Sequence, residues 1–251
     1  MNPVDHAIAM LLQARRSGQP VPAATLPDAA AAYAVQRGVA DALGWFVAAP
    51  PMAWKSGGPS REAVQTHAPL PGTGLWASPA DATGQAWQLR GIEAEIALRL
   101  GQDVTAADAA RLDLAAVKSL VDVMGVSIEI VDSRWTEALA APAEAKLADL
   151  QSHGALVLGD WALFDAEHDW PQQVCRVRIG AADERRFVGT HSMADPCWVL
   201  PAWLRHATQD GGQVPAGTMV TTGTWCGLLH AAPGDAVHVA FDGIGEARVQ
   251  F

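Results

Sequence analysis

Hydrophobic and polar positions alternate along GIEAEIALRL, Gly91 to Leu100, setting Ile92, Ala94, Ile96, Leu98 and Leu100 against Glu93, Glu95, Ala97 and Arg99. This alternation predicts a strand, whose side chains point by turns to opposite faces. On it Glu93 and Glu95 share a face, whereas a helix would splay the same spacing apart. Two carboxylates held side by side repel each other, and glutamate is depleted in strands, so the arrangement calls for an offsetting charge such as a bound divalent cation. The plainer reading is an amphipathic strand that wets a charged face. A second strand is predicted over Val121 to Val131, where Glu129 faces away from its neighbours Ile128 and Ile130.

Elsewhere the period changes. Val4, Ile8, Leu11 and Leu12 fall on one helical face, and an alanine-rich helix is predicted from Asp28 to about Gly44 after a proline-containing link. FVAAPPMAWKSGGPS reads as a short strand ending at Lys55, then a glycine- and serine-rich turn. Leu70 to Ala86 reads as loop. A helix is expected over Thr105 to Leu120, capped by Thr105 with Asp108 in its first turn, and another over Pro196 to Ala207. HGALVLGDWALF, VCRVRIGA and DAVHVAFDGIGEARVQF alternate between Gly, Asp and Pro punctuation, the pattern of an antiparallel sheet with hairpins.

The 251 residues can bury a sizeable core, and 50% are hydrophobic without any apolar run long enough to span a bilayer. A net charge of -10 and the lack of Lys/Arg clusters argue against nucleic-acid and membrane partners. An anionic substrate would then need local help from a metal or one well-placed cation. MNPVDHAIAMLLQARRSG does not read as a secretion signal, so a cytoplasmic location is expected. Cys175, Cys197 and Cys226 are scattered and lack C-x-x-C spacing, which fits reduced structural thiols.

Glu93, Glu95 and Glu129 supply oxygen donors without a sulfur or imidazole partner at metal spacing, a set that favours Mg2+ or Mn2+ over Zn2+. Three carboxylates leave coordination positions open for water or a bidentate substrate, so the cation could act as a Lewis acid on a carbonyl. Dinucleotide, Walker, H-E-x-x-H and G-x-S-x-G signatures are absent from the sequence.

With these residues in view, GIEAEIALRLG followed by SIEIVDSRW resembles the paired metal-binding motifs of the fumarylacetoacetate hydrolase superfamily, in particular its 2-keto-4-pentenoate hydratase and 4-oxalocrotonate decarboxylase branch. AWKSGG at Ala53 to Gly58 stands where that branch carries a catalytic lysine, and KLADLQSHGALVLG is similar to its next stretch. VTTGTWCGLLHAAPGDAV, Val220 to Val237, resembles its closing hydroxyl-Gly-hydroxyl turn and Gly-Asp hairpin. The resemblance implies a mixed α/β (α+β) fold. Residues 1–70 would form an N-terminal helical portion with the strand carrying Lys55, and 71–251 a largely antiparallel rolled β-sheet domain with the metal inside its mouth.

It further implies metal ligation by Glu93, Glu95 and Glu129, a catalytic role for Lys55, a contact from Thr222 or Thr224 to a substrate carboxylate, and a homo-oligomer. The implied substrate is a small 2-oxo acid, and the preferred activity is a hydratase (lyase) acting on a 2-hydroxy-2,4-dienoate of aromatic-compound degradation. Decarboxylation of a 2-oxo diacid is the close alternative, followed by a carbon-carbon hydrolase of acylpyruvates or a non-catalytic oxo-acid binder. A hydrolase would need a His and Glu pair near the cation, and no His-His lid motif is present; Trp225 also replaces the proline of the hydrolase turn. Ser56, Gly57 and Gly58 stand where relatives carry bulkier residues. His67 is isolated and is expected to be a loop histidine, His153 and His191 are each alone and are expected to take structural or surface roles, Arg134 is expected to pair with Asp132, and Trp54 should pack behind Lys55.

Overall fold

In the computed structural model, which describes residues 2–251, two capped helices come first. Helix α1 (Pro3–Ser17) starts where the Asn2 side chain accepts from Asp5 N at 2.8 Å, and stops at Gly18 in the left-handed region, φ 66°. Helix α2 (Ala29–Leu43) is capped by Asp28 and ends at Gly44, matching the predicted Asp28 to Gly44 stretch. Their apolar faces, with Ala7, Leu11, Val35 and Val39, form a small core.

The strands follow: β1 (Ala53–Gly57), β2 (Thr66–Pro69), β3 (Leu75–Ala77), β4 (Ala80–Asp81), β5 (Gly91–Leu100) and β6 (Val104–Thr105). Short helices α3 (Ala106–Ala109) and α4 (Leu114–Lys118) lead to β7 (Val121–Val131), α5 (Ala143–Ala148), β8 (His153–Leu163), β9 (Val174–Ile179) and β10 (Arg185–Val188). Helix α6 (Leu200–Ala207) precedes β11 (Gln213–Val214), β12 (Met219–Thr224), β13 (Leu229–His230), β14 (Ala236–Phe241) and β15 (Gly245–Gln250). The eight-stranded sheet runs β2-β1-β12-β5-β7-β8-β3 with β13 added on β5; a second sheet runs β10-β9-β14-β15-β4.

The fold is the expected mixed α/β one, with a mixed rather than purely antiparallel sheet: β1 runs parallel to β12, and β3 to β8. The strand that carries Lys55 is therefore hydrogen-bonded into the sheet that carries the glutamates. Between the two sheets lies the main core, where Trp54, Ile92, Ile96, Ile128, Ile130 and Val157 meet Val177, Val239, Phe241 and Val249. The alternation of β5 and β7 fills this core with one residue set and turns the other to the opposite face. The sheets approach so closely at Gly159 that a Cβ there would fall 2.1 Å from Glu246 O, which only glycine avoids.

Some local expectations change. The helix expected over Thr105 to Leu120 is two: Thr105 and Asp108 form a reciprocal capping box on α3, but Asp113 accepts from Ala116 N and starts α4 afresh. A second capping residue inside the window thus won over continuous propensity. Pro196 to Ala207 divides into a 3-10 turn and α6, and the Leu70 to Ala86 stretch contains β3 and β4. Among the described residues no helix is long and apolar enough to cross a membrane.

Candidate metal site

Glu93 lies directly opposite Glu129 in the antiparallel β5–β7 pair, and Glu95 opposite Ser127. Strand pairing thus brings together residues that the sequence keeps far apart. One carboxylate oxygen from each of Glu93, Glu95 and Glu129 falls within 4.8 Å of the others. Lys55 joins them from β1, its Nζ donating to Glu129 Oε1 at 2.5 Å and to the Gln151 carbonyl at 3.3 Å. Trp54 points the other way, into the main core against Trp203, as the alternation of β1 requires.

Burial and mutual repulsion raise two of the carboxyls. Burial, then Glu95 and Glu129, push Glu93 up to about 8; burial and Glu129 push Glu95 up to about 7, against the pull of Lys55. Glu129 is equally buried, but Lys55 and His153 outweigh that and hold it below the ordinary carboxylate range. For Lys55, burial alone would lower the ammonium, and the three glutamates together raise it instead. One buried ammonium thus faces two buried carboxylates and the half-buried one of Glu93. Glu129 Oε2 has no hydrogen-bond partner although it is buried. An unpaired oxygen, an all-oxygen donor set and an excess of negative charge are what a hard divalent cation fits.

The surrounding hydrogen bonds orient these donors. Thr221 Oγ1 donates to Glu95 Oε2, Gly223 N donates to the same oxygen at 2.9 Å, and Ser127 Oγ lies 3.1 Å from Thr221 Oγ1. Gly223, at φ 108°, takes a conformation that favours glycine, which lets its N–H turn toward Glu95. The two hydroxyls expected to reach a substrate carboxylate are bonded within the protein. Thr222 is wholly buried and donates to Ile96 O at 2.7 Å, and Thr224 donates to Gly227 O and accepts from Cys226 N. Thr221 pairs with Ala97 on the carboxylate face, and a register shift between Thr221 and Thr224 then breaks the alternation of β12.

Three further residues differ from expectation. His153 was read as structural, yet its Nδ1 is 3.3 Å from Glu129 Oε1 while its buried Nε2 has no partner. Burial holds this imidazole below its ordinary range. Arg134 pairs with Asp149, at 2.7 Å, and not with Asp132, which accepts from Gln88 N and Leu89 N. His67 is no loop residue: it is buried on β2, its Nδ1 2.9 Å from Ser56 Oγ. His191 is also buried, its Nε2 donating to Thr222 O at 2.8 Å.

The turn between α5 and β8 forms one wall. Leu150, Gln151 and Ser152 all have positive φ, 52°, 56° and 60°. Three successive non-glycine residues in the left-handed region store strain, a common feature of functional sites. This turn aims the Gln151 carbonyl at Lys55, and the Gln151 side-chain amide donates to Thr66 Oγ1. From Glu93 a cleft of about 580 Å3 opens outward between this turn and Val64, Leu139, Leu147 and Leu228.

A rolled mixed sheet that gathers a lysine and three carboxylates on one face, beneath N-terminal helices, defines an acid-centred β-roll protein. The chain belongs to the fumarylacetoacetate (FAA) hydrolase C-terminal family, whose sequence model matches residues 69–251. Its fold is shared over the full length with 4-oxalocrotonate decarboxylase from Pseudomonas putida complexed with magnesium and adipate: TM-score 0.79, 18% identity, 100% of this chain and 99% of that one covered. The calcium and acetate complex of that protein matches with TM-score 0.77 at 19% identity, with the same coverage. Fumarylpyruvate hydrolase from Pseudomonas aeruginosa, in complex with Mn2+ and pyruvate, gives TM-score 0.54 at 14% identity over 79% of this chain and 88% of that one. No curated protein matches the chain by sequence.

Proposed function

We propose that the protein is a divalent-metal-dependent hydratase, holding Mg2+ or Mn2+ on Glu93, Glu95 and Glu129 and adding water to a small 2-hydroxy-2,4-dienoate or its 2-oxo-enoate tautomer to give a 4-hydroxy-2-oxo acid. The observation that carries this reading is the convergence of the three carboxylates and the Lys55 ammonium at one buried point, with Glu129 Oε2 left unpaired. The magnesium, calcium and manganese complexes of the fold relatives support a hard cation at that point.

When bound, the cation supplies a Lewis acid that polarises the carbonyl of a 2-oxo acid and lowers the cost of negative charge there. The chain's own residues do the rest. Lys55 keeps a proton and a positive charge beside Glu129, where it can steady charge building on the oxo oxygen or pass the proton on. In the first stage a proton leaves the 2-hydroxyl and one is delivered to the far end of the conjugated system. In the second, the hydroxyl of water adds at C4 and a proton at C3. His153, with Nδ1 at Glu129 and Nε2 free, is a second group able to hold a proton. Thr221 and the Gly223 N–H fix the orientation of Glu95.

Decarboxylation of a 2-oxo diacid is the second reading, favoured by the full-length fold match to the decarboxylase. A His and Glu contact does occur at the site, but its carboxylate is Glu129, one of the three donors. It therefore provides no separate water-activating pair of the kind a carbon-carbon hydrolase needs.

Incubating the Mg2+-loaded protein with 2-hydroxypenta-2,4-dienoate, oxalocrotonate and an acylpyruvate, and identifying the products, tests the reading. A 4-hydroxy-2-oxo acid from the dienoate is expected. Carbon dioxide release from oxalocrotonate alone would transfer the assignment to decarboxylation, and no turnover of any of the three would refute both. Lys55→Gln is expected to lower turnover by about a hundredfold or more and to leave Mn2+ binding intact.

A further inference from the structure

The cleft that opens from Glu93 has a chemical polarity along its length. Its inner end holds Glu93 and the Ser152 hydroxyl, which is buried and has no hydrogen-bond partner. Its outer walls are Val64, Leu139, Leu147 and Leu228. Val64 is 88% exposed and Leu139 39%, so two aliphatic side chains face the opening with nothing covering them. Of the polar groups lining the outer part, the Gln151 amide donates to Thr66, Lys146 Nζ donates to Leu139 O at 3.1 Å, and Glu144 adds a negative charge. No arginine lines the cleft. At about 580 Å3 it falls well inside the range of small-molecule sites and has more room than a pentadienoate needs.

We propose that this cleft is a tail subsite that selects 2-oxo acids whose far end is uncharged, apolar and longer than a vinyl group, and disfavours those ending in a second carboxylate. The inference rests on the oxo-acid reading of the site and sides with the hydratase, since a 2-oxo diacid carries the distal carboxylate that the cleft disfavours. The head of the ligand is held at the carboxylate centre, and the cleft leads from Glu93 past Val64, Leu139 and Leu228. An alkyl or aryl tail there exchanges water for aliphatic contact. A distal carboxylate would leave water for mainly aliphatic walls whose one lysine, Lys146, already donates to Leu139 O, with Glu144 also in the lining.

Equilibrium binding of chain-length-matched ligands to the Mg2+-loaded protein, followed by calorimetry, tests this without turnover. 2-Oxooctanoate is expected to bind at least about tenfold more tightly than 2-oxobutanoate, because its tail buries several more methylenes. 2-Oxosuberate, the same length with a terminal carboxylate, is expected to bind about tenfold or more weakly than 2-oxooctanoate. Val64→Arg changes an exposed residue outside the core and is expected to narrow that gap severalfold by giving the carboxylate a partner.

Equal or tighter binding of 2-oxosuberate to the unaltered protein would overturn the proposal, as would a Val64→Arg variant with an unchanged ratio. If 2-oxobutanoate binds but the tail makes no difference, the tail subsite fails and the oxo-acid site stands. If Mg2+ binds and no 2-oxo acid does, the functional reading itself fails and takes this one with it.

Discussion

Lys55 and Glu129 are 74 positions apart in sequence, yet the ammonium of one donates to the carboxylate of the other at 2.5 Å inside the protein. The pair forms because β1 joins the sheet through β12 while β7 joins it through β5, so both side chains emerge on the same face. Breaking a buried pair by removing one partner leaves an uncompensated charge. Lys55 therefore also limits the repulsion among the three carboxylates when no cation is bound.

Protons should compete with the cation. Glu93, pushed up to about 8, and Glu95, pushed up to about 7, carry protons near neutrality in the metal-free protein and must release them to become ligands. Apparent Mn2+ affinity is expected to rise with pH from 5.5 to 8.5, with proton release detectable by calorimetry in buffers of different ionisation enthalpy. A pH-independent affinity would contradict the ligand assignment.

Thr221→Val should weaken Mn2+ binding by about 10- to 100-fold, since it removes a hydrogen bond that orients the Glu95 carboxylate. Thr224→Val, whose hydroxyl bonds only within its own turn, is expected to change that affinity little. Manganese titration followed by electron paramagnetic resonance separates the two.

The contrast between these threonines shows where sequence pattern ceases to inform. Glu93, Glu95 and Glu129 were legible because each sits in a regular strand whose period of two places it unambiguously. His153 was not, since it stands at a register shift of the β7–β8 pairing, and in β12 a shift after Thr221 breaks the alternation before Thr224; local pattern carries no record of either. Lys55 was found by family resemblance; its own short strand has too few residues to show a pattern. The broken helix after Thr105 was hidden for another reason, because Asp113 reads equally well as an exposed helical residue and as a cap.

Replacing Gln151 by Val should destabilise the protein by about 1–3 kcal/mol more than replacing it by Gly, because a β-branched residue tolerates φ 56° poorly. Both variants lose the same side-chain amide, so the difference between their denaturant midpoints isolates the backbone.

Acid should destabilise the fold through two histidines outside the carboxylate cluster. Burial and neighbouring His206 lower His67 to about 3, and burial lowers His191 to about 4 against the opposing effect of its bond to Thr222 O. Both stay neutral in the folded chain while the unfolded chain takes up protons near the ordinary imidazole value, about 6.5. Their contribution is present above that value and is lost as pH falls through the folded values. Melting temperature is expected to fall between pH 7 and 4.5, and less steeply in His67→Asn and His191→Asn.

The acidic centre hangs from paired strands, whereas Val64, Leu139 and Leu228, the outer walls of the cleft, lie on connecting segments. Loops accept insertions and exchanges that a hydrogen-bonded ladder does not. Ligand choice and bond-making chemistry are thus mechanically separable in this architecture: grafting new connecting segments onto the same pair of sheets would retune what enters without rebuilding what reacts.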